Sequence, residues 1–201
     1  MNLNITWVTS DTHFGHANAI KHSNRPYANV DEMDESLIEN WNSLVKDNHT
    51  IFHLGDFSFR NPEQYLKRLK GKIIMLPGNH DQMFYKNKKL LDRFENAAML
   101  HEVTNKIDGV TFNLTCEVKY DDGARGGLIV LNHYANLVWN KSHYGAIHLH
   151  GHSHGTLRYP KEMRAMDVGV DPMKYFPIRL DDVIARMSKI APPTFDHHGE
   201  G

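Results

Sequence analysis

The sequence predicts an α/β fold, because two different apolar patterns follow one another along the chain. In the first half, short apolar segments alternate with helical ones, which is typical of a parallel sheet covered on both faces. In the second half, residues 110–118 alternate strictly between apolar and polar side chains, which indicates a half-buried strand of an antiparallel sheet. We therefore expect β-sheet in both halves of the chain.

Each predicted strand of the first half is a short run of β-branched and apolar residues. These strands cover residues 5–10, 50–54 and 72–76. Helices are predicted over residues 31–46, 62–69 and 82–94. In the first of these helices Met33, Leu37 and Trp41 repeat at helical spacing, and we expect Asp31 to be its N-cap.

The second half is predicted to contain four strands, a turn and one helix. The strands cover residues 110–118, 128–131, 146–150 and 165–170, and the helix covers residues 180–187. The run Asp121-Asp122-Gly123 predicts a turn. We see no interdomain linker and expect residues 1–190 to form a single domain. Residues 191–201 lack apolar periodicity and are expected to form a flexible tail.

Composition excludes several classes of protein. The 201 residues include 23 Lys and Arg against 24 Asp and Glu, so the net charge of −1 offers no basic field for long nucleic acid. The sequence contains neither an apolar run of about 18 residues nor a polybasic segment, so we expect no membrane contact. Cys116, the single cysteine, cannot form an internal disulfide, and no signal peptide is recognisable. We therefore expect a cytoplasmic protein.

The chain contains 15 histidines, and about half of them lie in polar clusters at the ends of predicted strands. The five clusters are Asp11-Thr12-His13, Gly55-Asp56, Gly78-Asn79-His80-Asp81, Asn132-His133 and Gly151-His152-Ser153-His154. Ligands of open α/β sheets bind beyond the carboxyl ends of the strands, so we expect these clusters to converge on one site. Asp, His and Asn offer oxygen and nitrogen donors, which favours Mn, Fe, Zn or Mg.

The spacing within the clusters supports a shared centre. Asp11 and His13 are two residues apart, as are His152 and His154. Side chains two apart on an extended segment point the same way, so both members of a pair can reach one ion. Glycines stand directly before three of the polar residues, where they permit tight turns and close approach of the backbone.

The order of these motifs resembles the calcineurin-like metallophosphoesterase superfamily. The motifs D-x-H, G-D, G-N-H-D, H and G-H-x-H run from Asp11 to His154. The extended first motif, from Asp11 to Asn18, resembles the small single-domain members of bacteria and phages. The resemblance implies a four-layer αββα sandwich, in which two mixed β-sheets are flanked by helices and hold a dinuclear metal centre between them.

The resemblance also implies a role for each polar residue at the strand ends. Those expected to bind the first metal are Asp11, His13 and His154. Those expected to bind the second metal are Asn79, His133 and His152. Asp56 is expected to bridge both metals. His80 is implied as the acid that protonates the leaving group, and Asp81 as the partner that orients it.

Two further residues are candidates for substrate contact. Large protein phosphatases of the superfamily carry G-D-x-x-D-R-G, whereas Phe59 and Asn61 flank Arg60 here, which disfavours a protein substrate. Arg60 could clamp a phosphate, as arginine does well, or be a solvated surface residue. His16 could contact the substrate phosphate or cap the helix that follows it.

Such a site has the chemistry of a metal-dependent phosphoesterase. Two divalent cations that share a carboxylate lie about 3.5–4 Å apart and generate a hydroxide nucleophile at neutral pH. We expect hydrolysis of a phosphodiester or a small nucleotide-type phosphoester, with Mn²⁺ as the leading metal and Fe, Zn, Ni or Mg as alternatives. The rival hypotheses are a phosphomonoesterase on the same scaffold, a DNA-repair nuclease, and a protein-binding scaffold that has lost the chemistry.

Overall fold

Two β-sheets that pack face to face form the centre of the fold. The structure is a computed structural model, and it describes residues 2–86, 97–99, 114–121 and 126–192. Within these ranges the first sheet has five strands and the second has four.

The elements are named in chain order. The strands are β1 (Thr6–Thr9), β2 (Thr50–His53), β3 (Lys72–Met75), β4 (Ala97–Met99), β5 (Thr115–Tyr120), β6 (Gly127–Asn132), β7 (Ile147–His150), β8 (Ala165–Asp167) and β9 (Ile178–Arg179). The helices are α1 (Ala17–His22), α2 (Val30–Leu44), α3 (Glu63–Leu66), α4 (Gln82–Lys86) and α5 (Leu180–Met187). Short 3-10 turns cover Leu3–Ile5 and Ser142–Tyr144.

Both sheets are mixed. The first has the order β4-β3-β2-β1-β9, in which β1 to β4 are parallel and β9 runs antiparallel to β1. The second has the order β5-β6-β7-β8, in which β5 is antiparallel to β6 and the remaining pairs are parallel. A parallel bridge between Ser10 and Gly169 joins the chain just after β1 to the chain just after β8. The carboxyl ends of the two sets of parallel strands therefore meet.

The strand register of the first sheet determines toward which of its two faces each side chain points. Trp7 pairs with Ile51, and Ile51 pairs with Ile73. These three belong to the core that helices α2 and α3 cover, whereas Val8 and Phe52 belong to the core between the sheets. Because successive strand residues point to opposite faces, a slip of one residue would exchange the two sets.

Apolar residues from the strands of both sheets form the core between the sheets. Val8 and Phe52 share this core with Ile129, Leu131 and Leu149 of the second sheet. Helix α5 packs into the same core through its buried face. The arrangement confirms the predicted α/β class with two mixed sheets and flanking helices.

The outer face of the second sheet is covered by the chain between β6 and β7. Leu128 and Val130 of β6 point outward and pack in a smaller core with Trp139. The indole of Trp139 donates a hydrogen bond to the carbonyl of Ala146 at 3.0 Å, which holds this covering segment against the sheet.

The first helix predicted from the sequence starts earlier than expected, and the predicted N-cap is wrong. Helix α2 begins at Val30, and its N-cap is Asn29, whose side-chain oxygen accepts a hydrogen bond from the Glu32 amide at 2.9 Å. The Glu32 carboxylate in turn accepts from the Ala28 amide at 2.8 Å. Asp31 lies inside the first turn, where its charge still suits the positive end of the helix dipole.

The other predicted elements of the described ranges are present, with ends that differ by a few residues. Helix α5 has the predicted bounds, whereas α3 is shorter than predicted and follows Pro62. Strand β5 shows the expected alternation, with Val118 buried and Glu117 and Lys119 exposed. The short strands β4 and β9 were not predicted, and α1 was anticipated only as a helix of unstated length after His16. Residues 87–94, 110–113 and 122–123, and most of the predicted tail, lie outside the described residues. Among the described helices, none combines the length and the apolar character needed to cross a bilayer.

Leu149 tests the core between the sheets. Its side chain is 0% exposed, whereas that of Leu137 is 67% exposed on the covering segment. Leu149→Ala should lower the free energy of unfolding by about 2–5 kcal/mol, because it removes buried methyl groups and leaves a cavity. Leu137→Ala is the matched control and should change it by less than about 0.5 kcal/mol. Denaturant unfolding of the chelator-treated protein measures both, and equal effects would contradict the described packing.

Candidate metal centre

The loops that follow the strand ends bring two groups of metal-ligating side chains together. Asp11, His13 and His154 form the first group. Asp56, His133 and His152 form the second. Within each group, one ligand atom from every residue lies within 4.8 Å of the others. The predicted convergence of the clusters is therefore present in the fold.

The backbone that presents these side chains is not extended, which corrects the physical reason given for their spacing. Asp11 and His13 have φ values of 57° and 51°, in the left-handed region. His152 and His154 have φ values of 64° and 47°. Asp11 and His13 contribute to one group, whereas His152 belongs to the second group and His154 to the first. The expectation that both members of a pair reach one ion therefore holds for Asp11 and His13 and is wrong for His152 and His154. Left-handed conformations cost about 1–3 kcal/mol each and concentrate at functional sites.

The buried Arg25 holds the first of these loops in place. Its guanidinium donates to the backbone carbonyls of Asp11 and Thr12 at 2.7 and 2.9 Å. It also forms a two-point ion pair with the Asp171 carboxylate, with both contacts at 2.9 Å. Arg25 thus ties the loop after β1 to the chain after β8.

Two glycines leave room for the two aspartates of the site. A Cβ atom on Gly78 would collide with the Asp56 carboxylate, and one on Gly151 would collide with the Asp11 carboxylate. The predicted role of these glycines, close approach of the backbone, therefore matches the geometry.

The first group contains buried polar atoms that a cation would satisfy. Within the described part of the chain, Asp11 Oδ1 and both ring nitrogens of His13 are buried without a hydrogen-bond partner. His13 Nε2 lies 3.8 Å from Asp11 Oδ1, and His154 Nε2 lies 4.0 Å from the same oxygen. Buried polar atoms are almost always paired, so this oxygen and nitrogen donor set fits a divalent cation.

The second group is oriented by backbone contacts. His133 Nδ1 donates to the Leu54 carbonyl at 2.8 Å, which leaves Nε2 as the atom that faces the site. That nitrogen lies 3.0 Å from Asn79 Oδ1 and 3.5 Å from Asp56 Oδ2. The Tyr134 hydroxyl donates to Asn79 Oδ1 at 3.3 Å. Asn79 therefore lies beside the second group.

Asp56 lies between the two groups. Its Oδ2 atom is 3.7 Å from His13 Nε2 of the first group and 3.5 Å from His133 Nε2 of the second. Its Oδ1 atom accepts a hydrogen bond from the His80 amide at 2.9 Å. One carboxylate oxygen thus faces both groups while the other is held by the backbone.

Burial and neighbouring charges set the protonation of the two carboxylates. Burial raises the pKa of Asp11 to about 7, although His133 and His154 oppose it. Burial also acts to raise the pKa of Asp56, but contacts with His133, the His80 amide and His13 together outweigh it and lower the pKa to about 2. Burial lowers the pKa of His13 to about 2, which keeps this ring in the neutral form that binds metals. Asp56 is therefore ionised and His13 neutral at neutral pH.

His80 lies at the mouth of the site, outside both groups. Its side chain is 46% exposed, and its Nε2 atom lies 4.0 Å from Asp56 Oδ2. The partner predicted to orient it, Asp81, instead accepts three backbone hydrogen bonds. They come from the amides of Asp56, Phe57 and Gly78 at 2.7, 2.9 and 2.8 Å. The expected pairing of Asp81 with the His80 ring is therefore replaced by a role in fixing the two ligand loops.

The two predicted substrate contacts differ in position. Arg60 donates to the Asp31 carboxylate of α2 at 2.9 Å, which is the surface alternative considered for it. His16 occupies the N-cap position of α1 but makes no capping hydrogen bond. Its ring stacks on Phe59 with centroids 3.7 Å apart, and it lies 5.4 Å from His13. His16 therefore borders the site, whereas Arg60 is engaged with α2.

Sequence reasoning missed Asp171, which orients a histidine of the first group. Asp171 Oδ2 lies 2.6 Å from His154 Nδ1, so this ring nitrogen donates and Nε2 is directed toward Asp11. The signal was available, because Asp171 directly follows the predicted strand 165–170 and is a polar residue at a sixth strand end, beside the five clusters.

Comparison with known proteins assigns the chain to a family. The family model for calcineurin-like phosphoesterases matches residues 6–171, and the chain belongs to this family. An uncharacterized protein of Methanocaldococcus jannaschii is 29% identical over 197 residues, which cover 94% of both chains. The gene 66 protein of Mycobacterium phage L5 is 25% identical over 184 residues, which cover 83% of this chain and 86% of that protein.

A solved structure supports the fold. A protein of unknown function from Aquifex aeolicus superposes with a TM-score of 0.60 at 21% identity, covering 90% of this chain and 98% of that one. The family and the two ligand groups together describe a metal-dependent phosphoesterase with a dinuclear site for divalent cations.

Asp171→Asn tests how the first group is held. The change removes the charge that fixes His154, so metal affinity at the first site should fall about 10- to 100-fold while the second site keeps its affinity. Asp182→Asn, on the exposed face of α5, is the matched control and should leave both sites unchanged. Calorimetric metal titration measures the two sites separately. An equal loss at both sites would contradict the assignment of Asp171 to the first group.

Proposed function

We propose that this protein hydrolyses a phosphodiester or a small nucleotide-type phosphoester, with two divalent cations bound and with His80 as the general acid. The observation that carries the proposal is the position of Asp56 Oδ2, which faces a histidine of each group and lies 4.0 Å from His80 Nε2. A carboxylate that faces both ligand groups, with an exposed imidazole beside it, suits in-line displacement at phosphorus.

The residues that would hold the cations follow from the two groups. We assign the first ion to Asp11, His13 and His154. We assign the second ion to Asn79, His133 and His152. Asp56 would bind both. When bound, two such cations supply an activated water at neutral pH and neutralise charge on the phosphoryl oxygens. We propose Mn²⁺, because the donors are oxygens and imidazole nitrogens without thiolate.

His80 is suited to proton donation by its position. Its backbone amide is fixed to Asp56, while its ring remains at the exposed mouth of the site. An imidazole outside both ligand groups is free of metal and can give a proton to a departing oxygen. The loop is set by Asp81, which connects Gly78 to the backbone of the Asp56 loop.

The net charge of the protein and the exposure of the site favour a small substrate. The net charge of −1 does not favour a long nucleic acid, which binds through many basic contacts. The open mouth beside the partly exposed Phe59 and His80 suits a small phosphoester. Such a substrate is a soluble metabolite, and we propose a cytoplasmic location for the protein.

His80→Asn should lower turnover by about 10²- to 10⁴-fold on esters with an alkyl or nucleoside leaving group, which need a proton to depart. The loss should be much smaller on aryl esters such as p-nitrophenyl phosphodiesters, because p-nitrophenolate leaves without protonation. Metal content should not change, since His80 belongs to neither ligand group. Steady-state kinetics on both leaving groups and elemental analysis measure these outcomes.

The control for His80 is His22→Asn, an exposed histidine at the end of α1, which should keep full activity. Loss of metal from the His80 variant would make His80 a ligand. Equal rate losses on both leaving groups would remove the general-acid role. No turnover of either phosphodiesters or nucleotide phosphoesters by the unmodified protein would contradict the proposed substrate class.

A further inference from the structure

We infer that Phe59 forms a subsite for the leaving group, and that this subsite takes a planar ring such as a nucleobase or an aryl group. The inference rests on the proposed function and names the kind of substrate that the site accepts. It starts from an aromatic side chain that stays exposed at the mouth of an otherwise polar site.

The Phe59 ring lies at the edge of the metal site, beside His80. It is 40% exposed, and its centroid is 4.9 Å from that of His80 and 5.5 Å from that of His13. It stacks on His16 at 3.7 Å with an angle of 13° between the rings. Phe59 therefore touches the proposed acid and borders the first ligand group.

The backbone that carries the Phe59 ring is held in position before any ligand binds. The Phe59 amide donates to the Phe14 carbonyl at 2.8 Å, and the Phe14 amide donates to the Phe57 carbonyl at 2.9 Å. Phe14 and Phe57 are fully buried in the helix-covered core, which fixes this segment of backbone. A ring that is already ordered loses little conformational freedom when a ligand stacks on it.

The role of His80 decides which part of the substrate meets Phe59. If His80 protonates the leaving oxygen, that oxygen departs beside the His80 ring. The group attached to the oxygen then lies next to Phe59, whose centroid is 4.9 Å away. The other aromatic neighbour of the site, Tyr134, packs on His133 and His152 and has its hydroxyl engaged by Asn79. Phe59 is thus the apolar surface on the leaving-group side.

The chemistry of this surface favours a flat ring. An exposed phenyl group is poorly hydrated, and a planar ring that covers it gains both apolar burial and stacking. Aromatic side chains that stack on bases do so for any base, since every base has a π-face. The subsite should therefore select leaving groups that carry a ring over alkyl groups, with little preference among bases.

Binding of two phosphonates to the Mn²⁺-loaded protein tests the inference without turnover. Benzylphosphonate carries a ring where the leaving group would lie, and ethylphosphonate does not. The unmodified protein should bind benzylphosphonate about five- to tenfold more tightly than ethylphosphonate, which is within the usual effect of a single stacking contact. Phe59→Ala should abolish this ratio, because it weakens benzylphosphonate binding more than ethylphosphonate binding. Phe59→Leu, which keeps apolar volume without a ring, should also lose most of the ratio.

The matched control is Phe176→Ala. Phe176 is 39% exposed, close to Phe59, but lies beside Trp7 and β9 rather than at the ligand groups, so the ratio should persist. Equal binding of the two phosphonates by the unmodified protein, or an unchanged ratio in both Phe59 variants, would overturn the inference while leaving the proposed function intact. Failure of either phosphonate to bind in a metal-dependent way would overturn the proposed function and the subsite with it.

Discussion

The structure depends on keeping the buried Asp56 carboxylate ionised between two groups of metal ligands. Burial acts to raise its pKa, and contacts with His133, the His80 amide and His13 together outweigh that effect. The carboxylate can sit there because Gly78 has no side chain, and its loop holds its shape because Asp81 accepts hydrogen bonds from the backbone on both sides. The parallel strands position these loops, because their carboxyl ends bring the loops that carry the ligands to one place.

The loops themselves are strained, and the sheets and buried ion pairs hold them. Of the nine non-glycine residues with positive φ in the described ranges, five belong to the two ligand groups. Each costs about 1–3 kcal/mol, so the surrounding structure must fix them. Arg25 does so for the first loop, through two backbone carbonyls and Asp171. Ligand geometry therefore depends on residues that would never touch a metal.

The sequence predicted which side chains meet but not how the backbone presents them. Apolar patterns located the main strands, and the polar residues after those strands predicted one converging site, because these signals are carried by side-chain type. The division of those residues into two ligand groups came from the family resemblance. The left-handed turns at Asp11 and His13 leave no such signal, so an extended loop was expected. Asp81 was misjudged because its partners are backbone amides. Strand β9, with two residues, is too short to show a period.

Metal stoichiometry in ligand variants tests the shared carboxylate most directly. After reconstitution with Mn²⁺ and removal of free ions, elemental analysis of the unmodified protein should approach about two equivalents per chain. Asp56→Asn should lose both ions, because it removes the charge that both groups face, whereas Asp11→Asn should lose mainly the ion of the first group. If Asp56→Asn retains two tightly bound ions, Asp56 does not bridge them, and the shared carboxylate proposed for this site is wrong.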